Sequence, residues 1–166
     1  MLHNSNSRGF TIAEIVVVIA VISLISSIIA VNASKSRSLA RDGQRVSDLT
    51  AIQNALNLYF ADNKKYPAAI NTGLISLYIS QVPKDPNGSD YKYAGIDNSS
   101  PASSDTCESY HLGAVMENAG NSGLGQDTDL NILGNLCAGS GADFYGISTA
   151  CGPSTASPDL CFDLAP

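Results

Sequence analysis

The sequence predicts an α+β chain. One long N-terminal helix, membrane-spanning in its first half and amphipathic in its second, packs on a small antiparallel β-sheet head. Three observations predict this. An apolar run opens the 166-residue chain, a stripe of apolar residues at helical spacing follows it, and short runs of strand character fill the remainder.

The apolar run is the strongest signal. Residues 15–31 are 17 positions without a charge, and three serines are their only polar members. With Phe10 to Glu14 the run is 22 residues long. As a helix it would extend roughly 33 Å, enough to cross a hydrocarbon core of about 30 Å. Glu14 is the anomaly, because a carboxylate inside such a run is costly in a bilayer.

The helix continues beyond the run. Val46, Leu49, Ile52, Leu56 and Tyr59 form one apolar stripe, with Ser47, Asp48, Gln53, Asn54 and Asn57 between them. Gly43 is a weak point where the helix is expected to loosen. Asn63 and Pro67 in "DNKKYP" end it. A short helix is expected over residues 74–79, followed by a Pro-bounded turn, "VPKDPNGSD". Strands are expected over 91–96, 109–117 and 142–149. His111 alternates with Leu112 and is expected to face solvent on the second strand.

Between the last two expected strands the chain is rich in Gly, Asn and Asp. Asp127, Asp129 and Asn131 alternate as in the opening of a calcium loop, although Ile132 and Ala138 stand where such a loop needs Gly and Glu. A solvated turn accounts for the same residues.

Charge and cysteine usage narrow the function classes. The net charge is −6, and no basic residue follows Lys92. The acidic C-terminal half would repel a phosphate backbone, so direct nucleic-acid binding is not expected. Cys107, Cys137, Cys151 and Cys161 form no CxxC pair, and their spacing does not suit zinc. Two disulfides are expected, and sequential pairing, Cys107 with Cys137 and Cys151 with Cys161, closes the shortest loops. Disulfides place this half outside the cytoplasm. Lys35, Arg37, Arg41 and Arg45 after the run favour the opposite orientation by the positive-inside rule. No G-x-S-x-G, H-E-x-x-H or phosphate-loop motif is present, so an enzyme is not expected.

The N-terminus admits three readings. A secretory signal cut after Ala33 would release a soluble binding module, but the run exceeds a signal core and carries a carboxylate. A plain anchor would let Glu14 snorkel to the interface. The third reading takes Arg8-Gly9-Phe10-Thr11-Ile12-Ala13-Glu14 and the run as one unit. That unit closely resembles the processing signal of type IV pilins and the pseudopilins of type II secretion systems.

The resemblance implies a division of the chain. Residues 1–9 would be a leader, 10–33 a transmembrane and filament-core helix, 34–63 its amphipathic continuation, and 64–166 a pilin-like head with a disulfide-bounded C-terminal region. It further implies cleavage between Gly9 and Phe10 by a prepilin peptidase, N-methylation of Phe10, and a single-pass protein of the cytoplasmic membrane with its head outside. It gives Glu14 a role as the assembly charge, pairing with the Phe10 amine of a neighbouring subunit. The many relatives with a proline in the apolar run would be kinked there, whereas this chain has Val31. Self-assembly into a helical filament, with help from pilus or secretion machinery, is the implied function. The disulfide-bounded C-terminus favours a surface pilus subunit, the leading expectation. The "VPKDP" and "YKY" segments and the calcium-like loop favour the alternative, a pseudopilin acting as a protein-export piston. Family members of the second kind often bind calcium, which makes calcium the one cofactor to expect.

Overall fold

The computed structural model describes residues 9–73, 77–97, 107–130, 135–153, 155 and 157–166, without the side chains of 30–32, 72 and 73. The first eight residues of the expected leader, residues 74–76 of the expected short helix, and Asn131 therefore lie outside the described residues. The chain forms two compact units, Met1–Arg37 and Ser38–Pro166.

In the first unit the backbone is non-helical at Gly9, Phe10 and Thr11 and then enters helix α1, Ile12–Asn63. Ile15, Val18, Ile22, Ile25 and Ile29 are all half exposed or more, and so are the side chains between them that point other ways, such as Val17 and Leu24. A helix that is apolar all round needs an apolar environment on every side. It is long and apolar enough to cross a membrane.

In the second unit α1 turns amphipathic, as its spacing predicts. Leu49, Ile52, Ala55 and Leu56 are buried, with Val46 and Tyr59 packed beside them. Fully burying each large aliphatic side chain contributes roughly 1.5–3 kcal/mol. The helix runs unbroken through Gly43, against the expected loosening. The turn containing Gly43 is held by its neighbours: Asp42 accepts hydrogen bonds from the Glu117 and Asn118 amides at 2.9 and 3.1 Å. At the far end the Asn63 amide donates to the Tyr59 carbonyl at 2.9 Å, and Lys64 takes a left-handed φ of 56° that stops the helix.

Helix α2 covers only Ile70–Gly73, and residues 77–79 are not helical. Tyr78 explains the departure. Its ring packs edge-on against Tyr59, and its hydroxyl donates to Asp62 at 3.1 Å. Those contacts hold the segment against the end of α1 and outweigh the weak helical pattern.

Strands β1, Lys92–Ile96, and β2, Ser109–Val115, fall where the sequence predicts them. The expected strand at 142–149 does not form. The third strand is β3, Cys161–Leu164, and the antiparallel order is β1-β2-β3. Gly113 pairs with both Lys92 and Asp163 across the sheet. Residues 142–149 instead bond to loops, Tyr145 N–H to the Gly152 carbonyl and Gly146 N–H to the Leu130 carbonyl.

That arrangement covers the second face of the sheet. One face of β2, Tyr110, Leu112 and Ala114, meets the core cluster that contains Leu49, Ile52 and Leu56. The other face carries His111 and Gly113 and lies under Phe144. A Cβ on Gly113 would sit 2.6 Å from the Phe144 ring, so only glycine lets that ring lie on the sheet. His111 is consequently 0% exposed, not solvent-facing. Cys151 and Cys161 form a disulfide beside Phe144, and Cys107 and Cys137 form the other. Each such cross-link typically contributes about 2–4 kcal/mol, largely by restricting the unfolded chain.

Candidate functional site

The start of α1 is the first candidate site. Gly9 and Phe10 are exposed and outside regular structure, so the peptide bond between them lies ahead of the helix. Glu14 is engaged with its own helix end. Its Oε2 accepts from the Thr11 amide and hydroxyl, both at 2.9 Å, and its amide donates to the Thr11 Oγ1 at 3.3 Å. Thr11-x-x-Glu14 is thus a reciprocal capping box, which satisfies amides that a helix start leaves open. The sequence signal was a Thr three residues before a Glu ahead of an apolar run. It accounts for Glu14 in the single chain.

The second candidate is the acidic loop. Oxygens of Asp127, Asp129 and Asp163 all lie within 4.8 Å of one another. Asp163 was missed by sequence reasoning, because β3 brings it in from 34 residues beyond Asp129. The one available signal was a lone acid in the apolar run "LCFDLA". Its place is fixed by the loop it receives: Asp129 N–H donates to its Oδ1 at 3.0 Å and Leu130 N–H to its Oδ2 at 3.1 Å. Gly146 is needed beside it, since a Cβ there would lie 2.6 Å from Asp163 Oδ2 and from the Leu130 nitrogen.

The carboxylates of the cluster repel one another. Burial, then the charges of Asp129 and Asp163, push the Asp127 carboxyl up to about 7. Burial, followed by Asp159 and Asp163, raises Asp129 as well. Asp127 Oδ1 is buried and has no hydrogen-bond partner among the described residues. A hard cation at 2.3–2.6 Å from each of several oxygens requires those oxygens to lie within about 5 Å of each other. The donor chemistry, the spacing and the orphaned oxygen all fit such an ion.

On its inner side Asp163 meets His111, whose Nε2 is 2.7 Å from Asp163 Oδ2 and whose Nδ1 is 2.8 Å from Asp143 Oδ1. Burial lowers the proton affinity of the imidazole, but the two carboxylates more than offset that and raise it.

A third constellation ties α1 to the sheet. Arg45 is 3% exposed. Its Nε and Nη2 form a two-pronged contact with Asp85, 2.6 and 3.1 Å, and its Nη1 reaches Asp42 at 2.8 Å and Glu117 at 3.1 Å. Arg41 Nε also donates to Glu117, at 2.7 Å. Hydrogen bonding to Arg41 comes first among the effects that pull the Glu117 carboxyl down to about 2. Arg41 and Arg45, two of the cations that follow the apolar run, are therefore paired within the second unit.

Comparison with known proteins adds to this geometry. Residues 4–30 match the family described as the prokaryotic N-terminal methylation motif. The chain is 32% identical over 135 residues to type II secretion system core protein G of Vibrio cholerae, a match that covers 72% of this chain and 88% of that protein. It is 36% identical over 108 residues to the protein of the same name in Escherichia coli K12, covering 55% of this chain and 74% of the relative. Against the Pseudomonas aeruginosa protein of that name it is 28% identical over 148 residues, covering 79% and 96%. No solved structure matches.

Proposed function

The chain belongs to the family of type IV pilins and type II secretion pseudopilins, and we propose that within it this protein is the pseudopilin of a type II secretion system, assembled as a filament in the cell envelope. One observation carries that choice: the similarity to core protein G spans 88% of the Vibrio cholerae relative, well beyond the shared N-terminal motif. The disulfide-bounded C-terminus had favoured a surface pilus, and the similarity over the head outweighs it. The names of the relatives describe a secretion component and no catalyst, which supports a structural role.

In this reading prepilin peptidase removes the leader after Gly9 and leaves a methylated Phe10. The apolar half of α1 holds the subunit in the cytoplasmic membrane with the head outside, then packs laterally against other copies. Such head-to-tail contacts propagate into a filament. We further propose that Asp127, Asp129 and Asp163 hold calcium. When bound, the ion would neutralise carboxylates that otherwise repel one another.

The test is deletion of the gene in its own organism. Export of type II cargo into the medium is expected to fall at least about tenfold, with surface filaments still visible by electron microscopy. Normal export together with loss of surface filaments would overturn the pseudopilin reading in favour of a pilus subunit.

A further inference from the structure

We propose that His111, backed by Asp143, is a positioning residue for the cation loop: it locks the Asp163 carboxylate in the orientation that a calcium ion at Asp127 and Asp129 requires. The inference rests on the calcium reading above and concerns residues that would not touch the ion.

The geometry is built from the sheet outward. The register sets Asp163 opposite Gly113, and His111 shares the face of Gly113 two residues earlier on β2. With no side chain on Gly113, the Phe144 ring settles there and stacks on the imidazole, with centroids 3.8 Å apart and planes at 17°. That stacking fixes the plane of the ring. Asp143, next in the chain to Phe144, holds Nδ1 at 2.8 Å and fixes the rotation of the ring in that plane. The remaining nitrogen, Nε2, then points at Asp163 Oδ2 from 2.7 Å.

Asp163 in turn organises the loop. Both amides that it accepts, from Asp129 and Leu130, belong to the segment that carries the candidate ligands. Its own amide donates to Asp127 Oδ2 at 3.3 Å. The imidazole therefore joins three parts of the chain: the 143–144 segment, β3, and the 127–130 loop that hangs on β3. Without it, the Asp163 carboxylate would keep its loop contacts but lose its hydrogen bond to β2. A buried histidine that spans two carboxylates is more than core packing needs, since a leucine would fill the same space without a polar atom to satisfy. Groups that orient metal ligands from behind typically govern about 10–100-fold in metal affinity.

The experiment uses the full chain in detergent micelles, with calcium alone as the probe, followed by isothermal titration and by the calcium-dependent rise in melting temperature. Wild type is expected to bind, and Asp127→Asn to lose binding. His111→Ala is expected to weaken calcium affinity by about 10–100-fold, and His111→Gln, which keeps a donor for Asp163, to recover part of it. Asp143→Asn serves where His111→Ala fails to fold, and it is expected to weaken affinity by about tenfold with its melting temperature in chelator near that of wild type. If wild type binds calcium and the His111→Gln and Asp143→Asn proteins bind it equally tightly, whatever their melting temperatures, the positioning role is overturned while the calcium reading stands. If wild type does not bind calcium, both are overturned together.

Discussion

Glu14→Ala and Glu14→Val subunits are expected to insert into the membrane normally and to fail in assembly. Insertion depends on the apolar run, which neither change shortens. Assembly depends on what the carboxylate meets. In the single chain it caps the first turn of α1 through Thr11. In the proposed processing, cleavage after Gly9 would free an amine at Phe10, and in a packed bundle of helices the carboxylate of one subunit would meet the amine of the next. Breaking an ion pair in an apolar medium by removing one partner costs about 3–5 kcal/mol, enough to reduce assembly by more than about a hundredfold. Glu14→Gln separates the two uses, because glutamine also completes a capping box but carries no charge. It is expected to assemble as poorly as the alanine variant. Filament yield from membranes checks this, and normal yield from Glu14→Gln would show that capping is the whole role of Glu14.

The second large effect lies at Arg45. Arg45→Ala is expected to destabilise the folded second unit by about 3–5 kcal/mol, because it leaves buried Asp42 and Asp85 without their cation. Against a typical total of about 5–15 kcal/mol that is roughly a fifth or more of the stability. Lysine is not expected to rescue it, since a single ammonium cannot reproduce the two-pronged contact with Asp85 while also reaching Asp42 and Glu117. Denaturant unfolding of the full-length variants in detergent measures this. A loss below about 1 kcal/mol for Arg45→Ala would mean that the network is solvated and contributes as surface pairs do.

What the sequence made legible was the part of the fold governed by local period. The stripe from Val46 to Tyr59 and the positions of β1 and β2 followed from spacing alone. The misreadings share one cause, which is contact between distant segments. Residues 142–149 have strand character, but β3 takes the place beside β2, and Phe144 turns onto the sheet over Gly113 instead. That cover buried His111, which alternation alone had assigned to solvent. The third carboxylate of the acidic loop came from β3 for the same reason. Around Arg45, nothing local announced the contacts to Asp85 and Glu117. The capping box at Thr11 and Glu14 was the exception, since it is local and was there to be read.

The central claim is that the chain is processed like a prepilin and assembles through a retained N-terminal helix. The mass of the mature N-terminus from membranes tests it most directly. The account predicts a chain that begins at Phe10 and carries one added methyl group. A chain that begins at Ser34, with the apolar run removed, would contradict it.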